Sequence, residues 1–179
     1  DSVGGDPRGA AWTRDDTIIY CPLADGGLWE VAATAGAPPR ELAPPDRAKG
    51  ERGYRWPAVL PGGDAVVFTL VTSTMQSFDE GRLVVRSLRT REQREILRGG
   101  SFATYASTGH LLFACAGALM AVPFDVTTWT TTAPPKRVLD ELVTYPSSGA
   151  AQYAVAGDGT LVYIAGPAAN RNATLHWVD

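Results

Sequence analysis

A chain of 179 residues, 45% of them hydrophobic and 20% charged, has the makeup of a globular domain able to bury a sizeable core. Its net charge of −3 gives no electrostatic reason to expect nucleic acid or an anionic membrane as partner. No apolar run approaches the ~18–20 residues of a membrane helix, so no membrane segment is expected within it.

The opening Asp1-Ser2-Val3-Gly4-Gly5 lacks both Met and the regions of a signal peptide, so a piece of a longer protein is expected. Trp12 then precedes the turn residues Asp15 and Asp16 and the apolar run Thr17-Ile18-Ile19-Tyr20. Gly27 leads into Leu28-Trp29-Glu30-Val31, and Arg40-Glu41-Leu42 follows. The same order returns with Trp56, Gly63-Asp64-Ala65-Val66-Val67-Phe68, Leu83-Val84-Val85-Arg86 and Glu95-Ile96-Leu97. A third round brings Tyr105, Gly109-His110-Leu111-Leu112-Phe113, Leu119-Met120-Ala121-Val122 and Arg137-Val138-Leu139. A fourth starts at Tyr153 and Gly159-Thr160-Leu161-Val162-Tyr163 and stops after Leu175-His176-Trp177-Val178.

The closing aromatics Tyr20, Phe68, Phe113 and Tyr163 recur about every 45–50 residues, the period of radial β-sheet repeats with one sheet per repeat. Each repeat reads as four antiparallel strands, a to d. Strand a carries the upstream aromatic, b the apolar run, c the Leu-led segment and d the charged segment ending in Leu. The b strands are continuously apolar, as a sheet covered on both faces requires. Strand d mixes charge with aliphatics, which suits an outer edge. No segment has helical periodicity, and the 19 Gly and 13 Pro punctuate strands as turns.

The fold class expected is therefore all-β: a β-propeller of four-stranded antiparallel blades, with about three and three-quarter blades present. Approximate repeats are 10–46, 54–100, 101–142 and 150–179. Asp1 to Ala10 is too glycine-rich and polar to supply the missing last strand. Part of a six- to eight-blade ring, which needs at least ~250 residues, is expected over a closed four-blade one. Apolar flanks should then stand open at both ends and promote self-association through the open blade edges.

Arg55-Trp56-Pro57, Leu60-Pro61 and Gly63, followed by Phe68-Thr69, resemble the TolB-type propeller repeat. Gly109-His110-Leu111-Leu112-Phe113 with Ala121-Val122-Pro123-Phe124-Asp125 is similar to the propeller region C-terminal to many bacterial serine/threonine protein kinases. Ser147-Ser148-Gly149-Ala150-Ala151-Gln152-Tyr153 and Asp158-Gly159-Thr160-Leu161 extend that likeness over nearly the whole chain. The chain departs from the pattern where Ala156-Gly157-Asp158-Gly159 replaces the Pro-x-Gly turn and where Thr72 to Glu80 lengthens one loop. The resemblance implies a sensing or scaffolding module of a kinase. Related propellers also cap prolyl-oligopeptidase-type hydrolases, so the fold alone does not choose the host.

Catalytic motifs are missing from the sequence. There is no glycine-rich phosphate loop, His-Arg-Asp or Asp-Phe-Gly, and no Gly-x-Ser-x-Gly elbow. His110 and His176 fall in different repeats, one in a turn and one in a strand, so no histidine-based metal site is expected. Asp15, Asp16, Asp64 and Asp158 read as turn formers, not as calcium ligands. Cys21 and Cys115 sit in non-adjacent repeats, beyond the ~7 Å Cα separation of a disulfide, and should remain free thiols. Asn172-Ala173-Thr174 is a glycosylation triplet of a kind that arises often by chance. Arg86 to Arg98, interrupted by Glu92 and Glu95, reads as a solvated edge. No catalytic residue, cofactor or metal is expected.

If a–b turns share one end of the disc, b–c and d–a connections share the other. The length-variable segments are of that second kind: 44–55, 71–80, 141–152 and 165–172. Variable loops on a rigid scaffold are where binding residues concentrate. Arg52, Tyr54, Arg55 and Tyr145 combine cations with aromatics there, a composition favoured in contact surfaces. They are the candidate partner-binding residues, for a protein or peptide partner. Trp56 reads as a filler of the blade core.

Overall fold

The computed structural model describes residues 5–169. Two four-stranded antiparallel sheets and a five-stranded one follow one another in the chain. The first holds β1 (Ala10–Trp12), β2 (Thr17–Tyr20), β3 (Leu28–Ala32) and β4 (Arg40–Ala43) in spatial order. The second holds β5 (Glu51–Val59), β6 (Ala65–Thr72), β7 (Arg82–Ser87) and β8 (Gln93–Arg98). The third is built from β9 (Ser101–Ala106), β10 (His110–Cys115) and β11 (Ala118–Asp125), with the short β12 (Thr130–Thr131) and then β13 (Lys136–Leu139) both pairing with β11. The fourth repeat contributes two hairpins, β14 (Thr144–Tyr145) with β15 (Ala150–Ala151) and β16 (Tyr153–Val155) with β17 (Leu161–Tyr163).

This is the open β-propeller that the sequence predicts. Its expected fourth c strand, Leu175–Val178, lies outside the described residues, as do His176 and the Asn172 triplet. The first strands of successive sheets touch one another, so that edge is the narrow, axial one. The short β12 accounts for the longer c-to-d spacing of the third repeat.

Alternation within the strands divides the core into layers between sheets. Ile19, Cys21 and Leu28 of the first sheet pack against Tyr54, Val66, Phe68 and Val84 of the second. Val67, Leu83 and Val85 point the other way, onto Leu111, Phe113, Val122 and Phe124 of the third. Leu112, Ala114 and Leu119 in turn meet Leu142, Ala151 and Tyr153. All eight residues of β6 are buried, as a strand covered on both faces should be.

The axial strands share one irregularity. The pairing register slips between Arg55 and Ala58 in β5 and between Leu112 and Ala114 in β10 against β9. Trp56 and Phe102 occupy these bulges with φ of 54° and 58°. Gly9, which precedes β1 and pairs through its carbonyl with the Cys21 amide, holds φ 96° at the corresponding place.

Candidate partner-binding face

The b–c and d–a connections come together at one end of the sheets. Tyr54 N donates to Gly26 O at 2.9 Å and Ser73 N to Gly50 O at 2.9 Å. Gly99 N donates to Gly81 O and Leu142 N to Gly117 O, each at 2.8 Å. Segment 44–50 contains a turn of 3-10 helix, Arg47–Lys49, where the Asp46 carboxylate accepts from Ala48 N and Lys49 N and Gly50 ends it at φ 74°. Segment 73–81 contains a second such turn, Phe78–Glu80, capped by Ser77.

Two of the four candidate residues are accessible on this face and two are buried. Arg52 is half-exposed, and its Nε donates to Asp25 Oδ1 at 2.8 Å. Arg47 supports the pair by donating to Asp25 O and Arg52 O, each at 2.6 Å. Tyr145 is 37% exposed and lines a cavity of about 390 Å³ with Phe78, Asp79, Cys115 and Thr144.

Tyr54 lies in the core. Its ring is 4.7 Å from that of Phe68, and its hydroxyl donates to Glu51 Oε2 at 2.5 Å. Burial, and then the Glu51 carboxylate, hold its phenol well above the ordinary tyrosine range. Arg55 is 4% exposed; its Nη1 donates to Ser148 O at 3.1 Å and its guanidinium stacks 4.9 Å from the centre of the Phe78 ring. Burial first, and then the charge of Arg8, lower its pKa. Arg55 thus acts on this face through what it positions.

A clamp missed in the sequence ties the fourth repeat to the second. Ser148 O accepts from both Arg55 Nη1 and Trp56 Nε1, the latter at 3.0 Å. Ser101 Oγ donates to Gly149 O at 2.9 Å. Gly149 holds φ 74°, and a Cβ there would stand 2.2 Å from the Phe78 ring. The only sequence signal was Ser148-Gly149, a turn dipeptide whose distant partners leave no local trace. Trp56 is partly exposed on the axis, 5.2 Å from Phe102, and not within a blade interior.

The other sequence candidates occupy structural roles. Asp16 Oδ1 accepts from Trp12 Nε1, Asp15 from Thr13 Oγ1 and Asp158 from Thr160 N, while Asp64 pairs with Arg89. His110 Nδ1 stays within the a–b turn, 3.0 Å from Thr108 O. Both cysteines are free. Burial pushes the Cys21 thiol up to about 12, and burial with the Asp79 charge raises that of Cys115. Among the described residues no group of three or more His, Cys, Asp or Glu lies together to hold a metal.

No family model matches the chain, and no curated protein matches it. Solved structures do. TolB from Acinetobacter baumannii superposes with a TM-score of 0.61 at 18% identity over 92% of this chain and 39% of its own. A calcium-binding protein, regucalcin, from Agrobacterium tumefaciens gives 0.58 at 15% identity over 87% of this chain and 52% of its own. A chain of a nidogen/laminin complex gives 0.50 at 13% identity over 79% of this chain and 53% of its own. This chain therefore spans about two fifths to a little over half of these neighbours. At such identities the likeness establishes the propeller fold, not the role.

Proposed function

We propose that this chain is a non-catalytic propeller module that binds a protein or peptide segment through its b–c and d–a face. The observation that carries the reading is the placement of Arg52, at the start of β5, and Tyr145, in β14, as accessible groups on elements tied together by the Arg55–Ser148–Trp56 clamp. A cation and an aromatic on a rigid base form a contact surface that loses little side-chain freedom on binding. A binding role is favoured over a catalytic one because the reactive groups nearby are engaged. Asp79 Oδ1 accepts from Ala116 N at 2.7 Å, Arg52 is paired with Asp25, and burial with the Asp79 charge raises the pKa of the Cys115 thiol, which disfavours the nucleophilic thiolate. One structural neighbour comes from a complex of two proteins, nidogen with laminin.

Selection from a random peptide display library against the immobilised chain tests this. Enriched peptides should bind the Arg52→Ala/Tyr145→Ala double variant at least ten-fold more weakly, with the thermal midpoint unchanged. Equal binding rejects this face, and no enrichment rejects the role.

The host we propose is a bacterial serine/threonine kinase, a reading supported by the resemblance of Gly109–Phe113 and Ala121–Asp125 to the region after such kinase domains. The alternatives are a propeller gating a prolyl-oligopeptidase-type hydrolase and a TolB-like envelope scaffold. The flanking coding sequence separates them. Kinase motifs upstream support the first, a Gly-x-Ser-x-Gly segment downstream the second, and a secretory leader without either the third.

A further inference from the structure

Two neighbouring b–c connections differ in length, and the difference leaves a cavity between them. That of the second repeat runs 73–81, whereas that of the third is the two-residue turn Ala116-Gly117, with φ of 50° and 71°. Positive φ at both central residues closes a hairpin tightly. The long connection reaches across the short one, and Asp79 Oδ1 accepts from Ala116 N at 2.7 Å to hold it there. The fourth repeat supplies the remaining wall through Tyr145, Pro146 and Gly149, with Ala168 beside them, and Gly149 O is tied to Ser101 Oγ. The space they enclose is the cavity of about 390 Å³ that Tyr145 lines, walled by three consecutive repeats.

The lining carries one charge and two aromatic rings. Asp79 is its single charged residue, and among the described residues Asp79 enters no ion pair. The Ala116 amide fixes the carboxylate without neutralising it. The Asp79 charge acts on the neighbouring Cys115 thiol more strongly than the opposing charge of Arg137, so the field there is negative on balance.

The rings differ in what they already hold. Phe78 takes the Arg55 guanidinium 4.9 Å from its centre. That arginine is buried, donates to Ser148 O and is absent from the lining, so it leaves Asp79 unpaired. Tyr145 has no aromatic or cationic partner among the described residues. A carboxylate beside an open aromatic face attracts a cation, and a long alkyl stem suits the apolar remainder of the wall. An acidic group would be repelled by Asp79, and an apolar one would strip water from the carboxylate without replacing it. The volume lies at the small end of the ~300–1,000 Å³ of ligand pockets, which suits one inserted side chain.

We infer that this cavity receives a cationic side chain, arginine or lysine, of the partner segment, with Asp79 pairing its charge and the Tyr145 ring covering it. The inference rests on the partner-binding reading and narrows it, since the bound segment must be basic at one position.

Nitrogen-15 NMR of the 179-residue chain, titrated with N-acetyl-arginine amide, tests it. N-acetyl-lysine amide serves as a second cation and N-acetyl-citrulline amide as the neutral isostere of arginine. Both cations should shift the amide signals of Asp79, Ala116 and Tyr145 saturably, and citrulline should bind at least about three-fold more weakly. Asp79→Asn keeps an oxygen for the Ala116 amide and removes the charge. It should therefore weaken arginine binding by about three-fold or more and leave the thermal midpoint unchanged. The absence of saturable shifts at these amides overturns the inference. So does citrulline binding as well as arginine, or an Asp79→Asn variant that binds arginine undiminished. Library peptides separate this from failure of the parent reading. Enriched peptides that lack a basic residue and bind Asp79→Asn equally refute the inference and leave the binding role standing, whereas no enrichment removes the role on which it rests.

Discussion

Trp56 and Phe102 stand 5.2 Å apart at corresponding bulges of neighbouring axial strands, and both hold the left-handed backbone conformation that bulky residues avoid. The conformation costs each about 1–2 kcal/mol, offset by the ring contact and by the anchors on either side. Trp56 Nε1 donates to Ser148 O, and Phe102 N donates to Thr69 Oγ1 at 3.0 Å. Removing the ring should therefore invert the usual order of small residues in a strand. Phe102→Gly should be about 1 kcal/mol more stable than Phe102→Ala in urea unfolding, because only glycine relieves φ 58° without penalty. An alanine variant equal to or better than the glycine one contradicts the strain.

Arg52 should separate binding from stability. Its pair with Asp25 is half-exposed on both sides, and such pairs contribute about 0–1 kcal/mol. Arg52→Ala is thus expected to shift the unfolding midpoint hardly at all while lowering peptide capture. A loss of more than about 2 kcal/mol in urea titration would make Arg52 a structural strut instead.

Gly149→Ala should loosen the face without touching Arg52 or Tyr145. The added Cβ meets the Phe78 ring at 2.2 Å and sits on a backbone at φ 74°, so Phe78 must leave its place over Arg55. Overpacking with strain costs about 1–3 kcal/mol. Loop 141–149 should become more protease-sensitive in the variant. An unchanged digestion pattern and midpoint would show that Phe78 has room to yield.

How much of this was legible in the sequence depends on whether the information was local. The runs at 17–20, 65–68, 110–113 and 161–163 are legible as strands because short continuous apolar runs bounded by turn residues are signals that act over a few residues. The side each axial residue faces was not legible. A one-residue bulge at Trp56 reverses the parity of β5, sending Tyr54 into the core and leaving Trp56 on the axis. Gly9 advertises its bulge by being glycine, but Trp56 and Phe102 carry no such mark. Arg55 gave a composition signal for contact, and only the fold shows Phe78 and Ser148 enclosing it.

Alkaline pH should destabilise the fold through three buried acids. Tyr54 donates to Glu51, and Tyr153 donates to Phe102 O at 2.5 Å, with Leu112 O 3.0 Å away. Burial raises the pKa of both phenols and lifts Cys21 to about 12. The folded state therefore holds protons that the unfolded chain releases near pH 9 for the thiol and near ~10 for the phenols. Their contribution is complete below about pH 9 and is lost as pH rises towards 12. Urea midpoints at pH 8, 9.5 and 11 should fall in that order. Tyr153→Phe starts from a lower midpoint, having lost a hydroxyl buried between two carbonyls, but should fall less steeply. A midpoint flat from pH 8 to 11 would mean these groups meet water in the folded chain.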